Sequence, residues 1–193
     1  MSFFETIRIN DRETVDVKHL LYYQTARNSL EDAKEIHEHR NESDTIELLA
    51  NSTEVQKRLH ISVIFFYLTI ESYINFYAIK NKIKNRKELK KDSTIEKWKK
   101  YPEEKREKRP GIVTGSVPDT GYGNRVEKLL EKLNNKRNHI VHHKPRLINV
   151  EGPDIDYLAI SIEECEGYYQ TIKELMQELK RIDTDAYIDW INK

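Results

Sequence analysis

One cysteine, Cys165, stands in 193 residues, together with only five prolines and six glycines. A lone thiol excludes an internal disulfide and a cysteine-built zinc site, and it suits a reducing, cytoplasmic setting. So few prolines and glycines leave few places where a helix must break, and the chain reads as one helical domain, residues 1–193, long enough to bury a core. Charge of one sign is also lacking: 33 Lys and Arg face 33 Asp and Glu. The total therefore implies no general attraction to nucleic acid. No apolar run opens MSFFETIRINDRE, so no secretory leader is expected. The glycines form neither G-x-x-x-x-G-K-[ST] nor G-x-G-x-x-G, which removes the usual phosphate-cradling loops. His37 and His39 are two apart and His142 and His143 adjacent, neither at the i, i+4 spacing of a helical metal site. No metal and no cofactor are expected.

What is present is helical patterning with an uneven charge distribution. Lys80 to Arg109 holds 14 Lys or Arg against 6 Asp or Glu, an excess of eight positive charges that the remainder offsets. Trp98 and Tyr101 lie within that basic run, which reads either as a solvated helix and loop or as a grip for an RNA backbone with an aromatic to stack a base. ISVIFFYLTIESYINFYAI, Ile61 to Ile79, is long enough to span a membrane. Glu71 lies near its centre among Ser62, Thr69, Ser72, Asn75 and three tyrosines, and a charge at mid-bilayer is costly. The segment is therefore expected to be the buried central helix of a soluble bundle, with no membrane partner.

The expected architecture is all-α, a bundle of four to five main helices around that long apolar helix. A first amphipathic helix is predicted from Glu13 to Arg40, with Val17, Leu20, Leu21, Ala26, Leu30, Ala33 and Ile36 at three- and four-residue intervals. A short turn of helix at DTIELLA, capped by Asp44, precedes a capping box at Thr53-Glu54-Val55-Gln56, where the central helix should start. STIEKWKKY makes one more helix inside a basic, loop-rich insertion, about 81–123, whose proline- and glycine-rich second half reads as a loop. Asn124 is the predicted cap of the next helix, which ends by His143 or Lys144 because Pro145 disfavours helical geometry before it. RLINVEGPDIDYLAIS has a turn at Gly152-Pro153 and reads as a small β-hairpin near 146–160. A second capping box, Ser161 to Glu164, opens a final helix whose apolar face runs Ile162, Cys165, Tyr168, Tyr169, Ile172, Leu175, Met176 and Leu179.

Chemistry concentrates in KRNHIVHHKPR, residues 136–146. In the helix leading into it, Val126, Leu129, Leu130, Leu133, Ile140 and Val141 form an apolar stripe, and Arg137 stands four places from both Leu133 and Val141. An arginine there either lays its methylenes along apolar neighbours and sends its head to water, or is buried and needs a carboxylate. Glu71, the single acid of Ile61 to Ile79, is the expected partner. Asn138 and His142 are four apart, close enough for the amide to orient the imidazole. Arg137 and His142 are five apart, about 140° around the helix, so a second copy of the helix would bring them together more readily than one copy.

Arg137, Asn138 and His142 resemble the R-x4-H signature of the HEPN superfamily, small all-helical domains in which an arginine, usually followed by a polar residue, precedes a histidine by five or six positions. His143 meets the longer spacing, so either histidine fits, and the nearness of Asn138 favours His142. FFYLTIESYINFYA is similar to the family's central helix, with Glu71 at the position of its polar or acidic residue. These two helices make up about a third of the chain. The resemblance implies a metal-independent endoribonuclease, a toxin or antiviral-defence effector, cleaving RNA by 2′-hydroxyl attack in the groove of a homodimer, with an antitoxin or regulatory protein as a further partner. On that reading Arg137, His142, Asn138 and Glu71 form the catalytic set, and His143, Lys144 and Arg146 contact RNA. The tyrosine that follows two places after the histidine in members silenced by nucleotidylation is Lys144 here. Other members have lost activity and serve as modules that bind RNA, a nucleotide or a protein.

Overall fold

The computed structural model describes residues 6–10, 13–16, 18–39, 45–85, 87–108, 121–142 and 159–192. They form an all-α bundle of five helices preceded by a two-stranded antiparallel hairpin: β1 (Thr6–Asn10), β2 (Glu13–Asp16), α1 (His19–Glu38), α2 (Thr45–Lys80), α3 (Thr94–Lys108), α4 (Tyr122–Val141) and α5 (Ile162–Ile182). The hairpin pairs Ile7 with Val15 and Asn10 with Glu13, so α1 starts six residues later than its periodicity predicts. β-branched residues at Thr6, Ile7 and Ile9 and at Thr14 and Val15 favour that extended geometry over helix.

α2 is the axis of the bundle. α1 runs antiparallel to it: Ser62 Oγ donates to the Ala26 carbonyl at 2.8 Å, Arg58 pairs with Asp32 at 2.9 Å, and His19 lies beside Tyr73. α5 runs parallel to it, with Gln56 bonded to the Ile160 backbone, Cys165 Sγ donating to Ser62 Oγ, and Tyr77 donating to Asp183. Ile46–Lys80 is long and apolar enough to cross a membrane, and 56% of its apolar window is buried inside the bundle. Val63, Phe66, Ile70, Ile74 and Tyr77 meet Leu130 and Leu133 of α4 and Ile172, Leu175 and Leu179 of α5 in one continuous core.

Two further helix starts differ from the sequence reading. α2 is continuous from Thr45, and the expected capping box lies inside it. Thr53 Oγ1 donates back to the Leu49 carbonyl at 2.9 Å, while Gln56 leaves its own helix to bond both the N–H and the C=O of Ile160. α4 starts at Tyr122 with Gly121 as its cap, two residues before Asn124, because the fully buried Tyr122 ring must be carried on the helix to reach the core. The final helix matches its expectation: Ser161 Oγ accepts from the Glu164 N–H at 3.0 Å, and Cys165, Tyr168, Ile172, Leu175, Met176 and Leu179 are buried.

The basic segment is more ordered than its composition predicts. α3 passes through Pro102 to Lys108. Loss of one ladder bond at a proline costs about 3 kcal/mol, and side chains on both sides of Pro102 offset it. Tyr101 donates to Asp92 at 3.0 Å, Glu104 pairs with Lys84 at 3.1 Å, and Lys105 pairs with the buried Asp183. Trp98 and Tyr101 are both 0% exposed, and Trp98 Nε1 donates to the Ile70 carbonyl at 3.1 Å. Neither ring is available to stack a base, because the amphipathic face of α3 places both against α2. Of the hairpin expected near 146–160, residues 146–158 lie outside those described.

Candidate functional site

The C-terminal turn of α4 is anchored from two sides. Lys136 Nζ donates to the Ala159 carbonyl at 2.9 Å and reaches Glu164 at 3.4 Å, fastening the turn to the start of α5. The neighbouring Arg137 turns the other way, towards α2. Its guanidinium lies over the Tyr67 ring, 5.0 Å from the centroid, and Nη1 donates to Asn138 Oδ1 at 2.9 Å. Arg137 and Asn138 are half-buried, and the Tyr67 platform is buried. Stacking on a ring face stabilises such a cation by about 0.5–2 kcal/mol and fixes its plane. Among the described residues no carboxylate lies within ion-pair distance of Arg137.

That arrangement corrects the expected Arg137–Glu71 pair. Glu71 follows Tyr67 by four residues on α2, one turn and about 6 Å further along and about 40° around. There it lines a cleft of about 700 Å³ with Leu68, Ser72, Asn75 and Lys97. Tyr67 was not singled out in the sequence. Tyr67 is one aromatic residue among several there, with Phe65 and Phe66 directly before it, so nothing local marks it as the one that meets Arg137.

His142 is the C-cap of α4, with φ −110° and ψ 23°, and its N–H donates to the Asn138 carbonyl at 2.9 Å. The side chain is exposed. Asn138 was expected to hold the imidazole with its amide; the amide oxygen holds Arg137 instead, and the His142 ring has no hydrogen-bond partner among the described residues. The apolar stripe closes earlier than expected as well, with Leu130 and Leu133 buried, Ile140 half-buried and Val141 45% exposed. The structure therefore brings Arg137 and Asn138 together, sets His142 one turn beyond Asn138 at the open end of the helix, and leaves Glu71 elsewhere. His143, Lys144 and Arg146 lie outside the described residues.

Chemically, this end of the bundle offers a braced cation with no carboxylate partner among the described residues and, five residues further on, an exposed imidazole. The first suits a phosphate, and the second is of the residue type that serves as a general acid or base. Among the described residues no three His, Cys, Asp or Glu side chains gather as a metal centre. Comparison with protein-family models, curated proteins and solved structures finds no match to this chain.

Proposed function

We propose that the chain is a metal-independent endoribonuclease of the HEPN type, a toxin or antiviral-defence effector that cleaves RNA as a homodimer. The observation that carries this reading is the Arg137 guanidinium, fixed by Asn138 and the Tyr67 face with its charge uncompensated by any carboxylate among the described residues. A cation already paired with an acid must give up that partner to bind phosphate.

RNA carries its own nucleophile. One imidazole takes the proton of the 2′-hydroxyl as that oxygen attacks phosphorus, and a protonated imidazole gives a proton to the departing 5′-oxygen. The products are a 2′,3′-cyclic phosphate and a 5′-hydroxyl end. Two histidines are needed in opposite protonation states, and a twofold axis beside the α4 ends supplies His142 from each protomer. Arg137 stabilises the charge that grows on the phosphoryl oxygens, and Asn138 positions Arg137. Glu71 has no role in this chemistry.

A second reading, a catalytically silent helical module binding RNA, a nucleotide or a protein, is favoured by one observation: nothing among the described residues orients the His142 ring. Purified protein incubated with total RNA in EDTA separates the two. Cleavage leaving cyclic phosphate ends and falling about 10²-fold or more in both Arg137→Ala and His142→Ala supports the nuclease. RNA that stays intact, or is cut equally by wild type and both variants, refutes it.

A further inference from the structure

A small pocket at the end of α2 already holds an ammonium against aromatic rings. It lies where α2 ends beside α3 and the segment after α5, and its volume of about 130 Å³ is close to the roughly 150 Å³ of a cavity that accepts benzene. Tyr73, Phe76, Tyr77 and Tyr187 form its walls. Lys80 Nζ stands 5.7 Å from the ring centroids of both Phe76 and Tyr187, and Lys105 Nζ stands 5.5 Å from that of Tyr77. The two lysines differ in charge balance. Lys105 is buried and paired with Asp183, whereas the exposed Lys80 forms no ion pair with any described residue. Asp185, exposed and part of the same lining, also has a carboxylate without an ion pair among the described residues. The walls offer ring surface more than free hydroxyls: Tyr73 donates to the Tyr187 carbonyl at 2.9 Å and Tyr77 to Asp183 at 2.8 Å.

We propose that this pocket binds a quaternary ammonium group, for which the Lys80 side chain is a tethered stand-in. The faces of aromatic rings carry the negative part of their quadrupole, so they attract a cation and oppose an anion. An ammonium without N–H groups asks for no hydrogen-bond acceptors, which suits walls whose phenol groups are already engaged. Lys80 is the last residue of α2 and exposed, so rotation of its own flexible stem is enough to vacate the rings. Once it swings into solvent, Lys105 stays neutralised by Asp183, and Asp185 is left as the one uncompensated charge of the described lining. The incoming cation restores that balance. A trimethylammonium group is the chemistry shared by choline-like small molecules and by trimethylated lysine in a protein partner.

Lys80 follows Tyr67 by 13 residues, about 20 Å along α2, so the pocket is separate from the α4 end and stands whether or not the chain cleaves RNA. Isothermal titration of wild type and Lys80→Ala, both as the full chain, tests it. The probes are choline, the acetylated amide of trimethyllysine, and dimethylbutanol, the neutral carbon isostere of choline. In Lys80→Ala, which removes the stand-in, at least one cation should bind saturably, at least about fivefold more tightly than it binds wild type and than the alcohol binds the variant. Such a gain cannot come from a damaged fold. The tighter of the two cations tells whether the group arrives on a small molecule or on a methylated partner. Tyr187→Leu added to Lys80→Ala should reverse most of the gain, with thermal unfolding to establish that each variant is folded. Absence of saturable binding of either cation by folded Lys80→Ala, an alcohol that binds as tightly as the cations, or no gain on removal of Lys80 would each overturn the proposal.

Discussion

Acid should unfold this protein through one histidine. His19 begins α1, is 0% exposed, and packs against Tyr73, Phe76 and Trp190 with ring centroids 5.1 to 5.3 Å away. Neither ring nitrogen has a hydrogen-bond partner among the described residues. Desolvation therefore opposes the imidazolium and lowers the His19 pKa from 6.5 to about 3. The unfolded chain takes up a proton below about pH 6.5 that the native state refuses until about pH 3, so stability falls as pH drops through that window. The linkage amounts to roughly 2 kcal/mol at pH 5 and roughly 3 kcal/mol at pH 4, a large part of a typical domain's stability. The exposed carboxylates Glu54, Glu96 and Glu163, each held below the ordinary range mainly by hydrogen bonds, lose their contribution only below about pH 4.5. The interval from 4.5 to 6.5 thus reports on His19. Urea unfolding at half-unit pH steps should show a wild-type slope there that His19→Phe lacks. The variant should match or exceed wild type at pH 8, since it replaces two unmatched nitrogens with carbon. Equal slopes in the two proteins, or a native-state His19 titration near 6.5 by NMR, would refute the burial argument.

Two further predictions concern charge placement. Lys105→Met leaves Asp183, with a side chain 6% exposed, dependent on Tyr77 and the Asp185 N–H, and should cost about 3–5 kcal/mol in urea unfolding. A loss under about 1 kcal/mol would mean that the pair is solvated. If Arg137 acts on RNA from its aromatic platform, Tyr67→Leu should lower kcat/KM about 3- to 30-fold while Tyr67→Phe, which keeps the ring face, stays near wild type. Equal activity of the Phe and Leu variants would remove the platform from the argument.

Periodicity and local hydrogen bonding were sufficient wherever a helix decides its own face. The apolar stripe of α5 and its Ser161 cap, the buried Cys165 and the core role of Ile61 to Ile79 were all legible from residue spacing. Spacing also led to Arg137, Asn138 and His142 as a group, since all three belong to one helix end. Where a neighbouring helix decides, the sequence was silent. Whether Arg137 meets Glu71 or Tyr67 depends on the axial register and rotation of α4 against α2, and one turn of offset changes the partner from an acid to a ring. A lysine-rich composition suggested a solvated α3, yet packing buries Trp98, Tyr101, Lys97 and Lys105, because one face of the helix meets the bundle however charged the rest may be. Local pattern determines which residues share a face; only the assembled bundle determines what that face touches, as the Arg137 guanidinium on the Tyr67 ring shows.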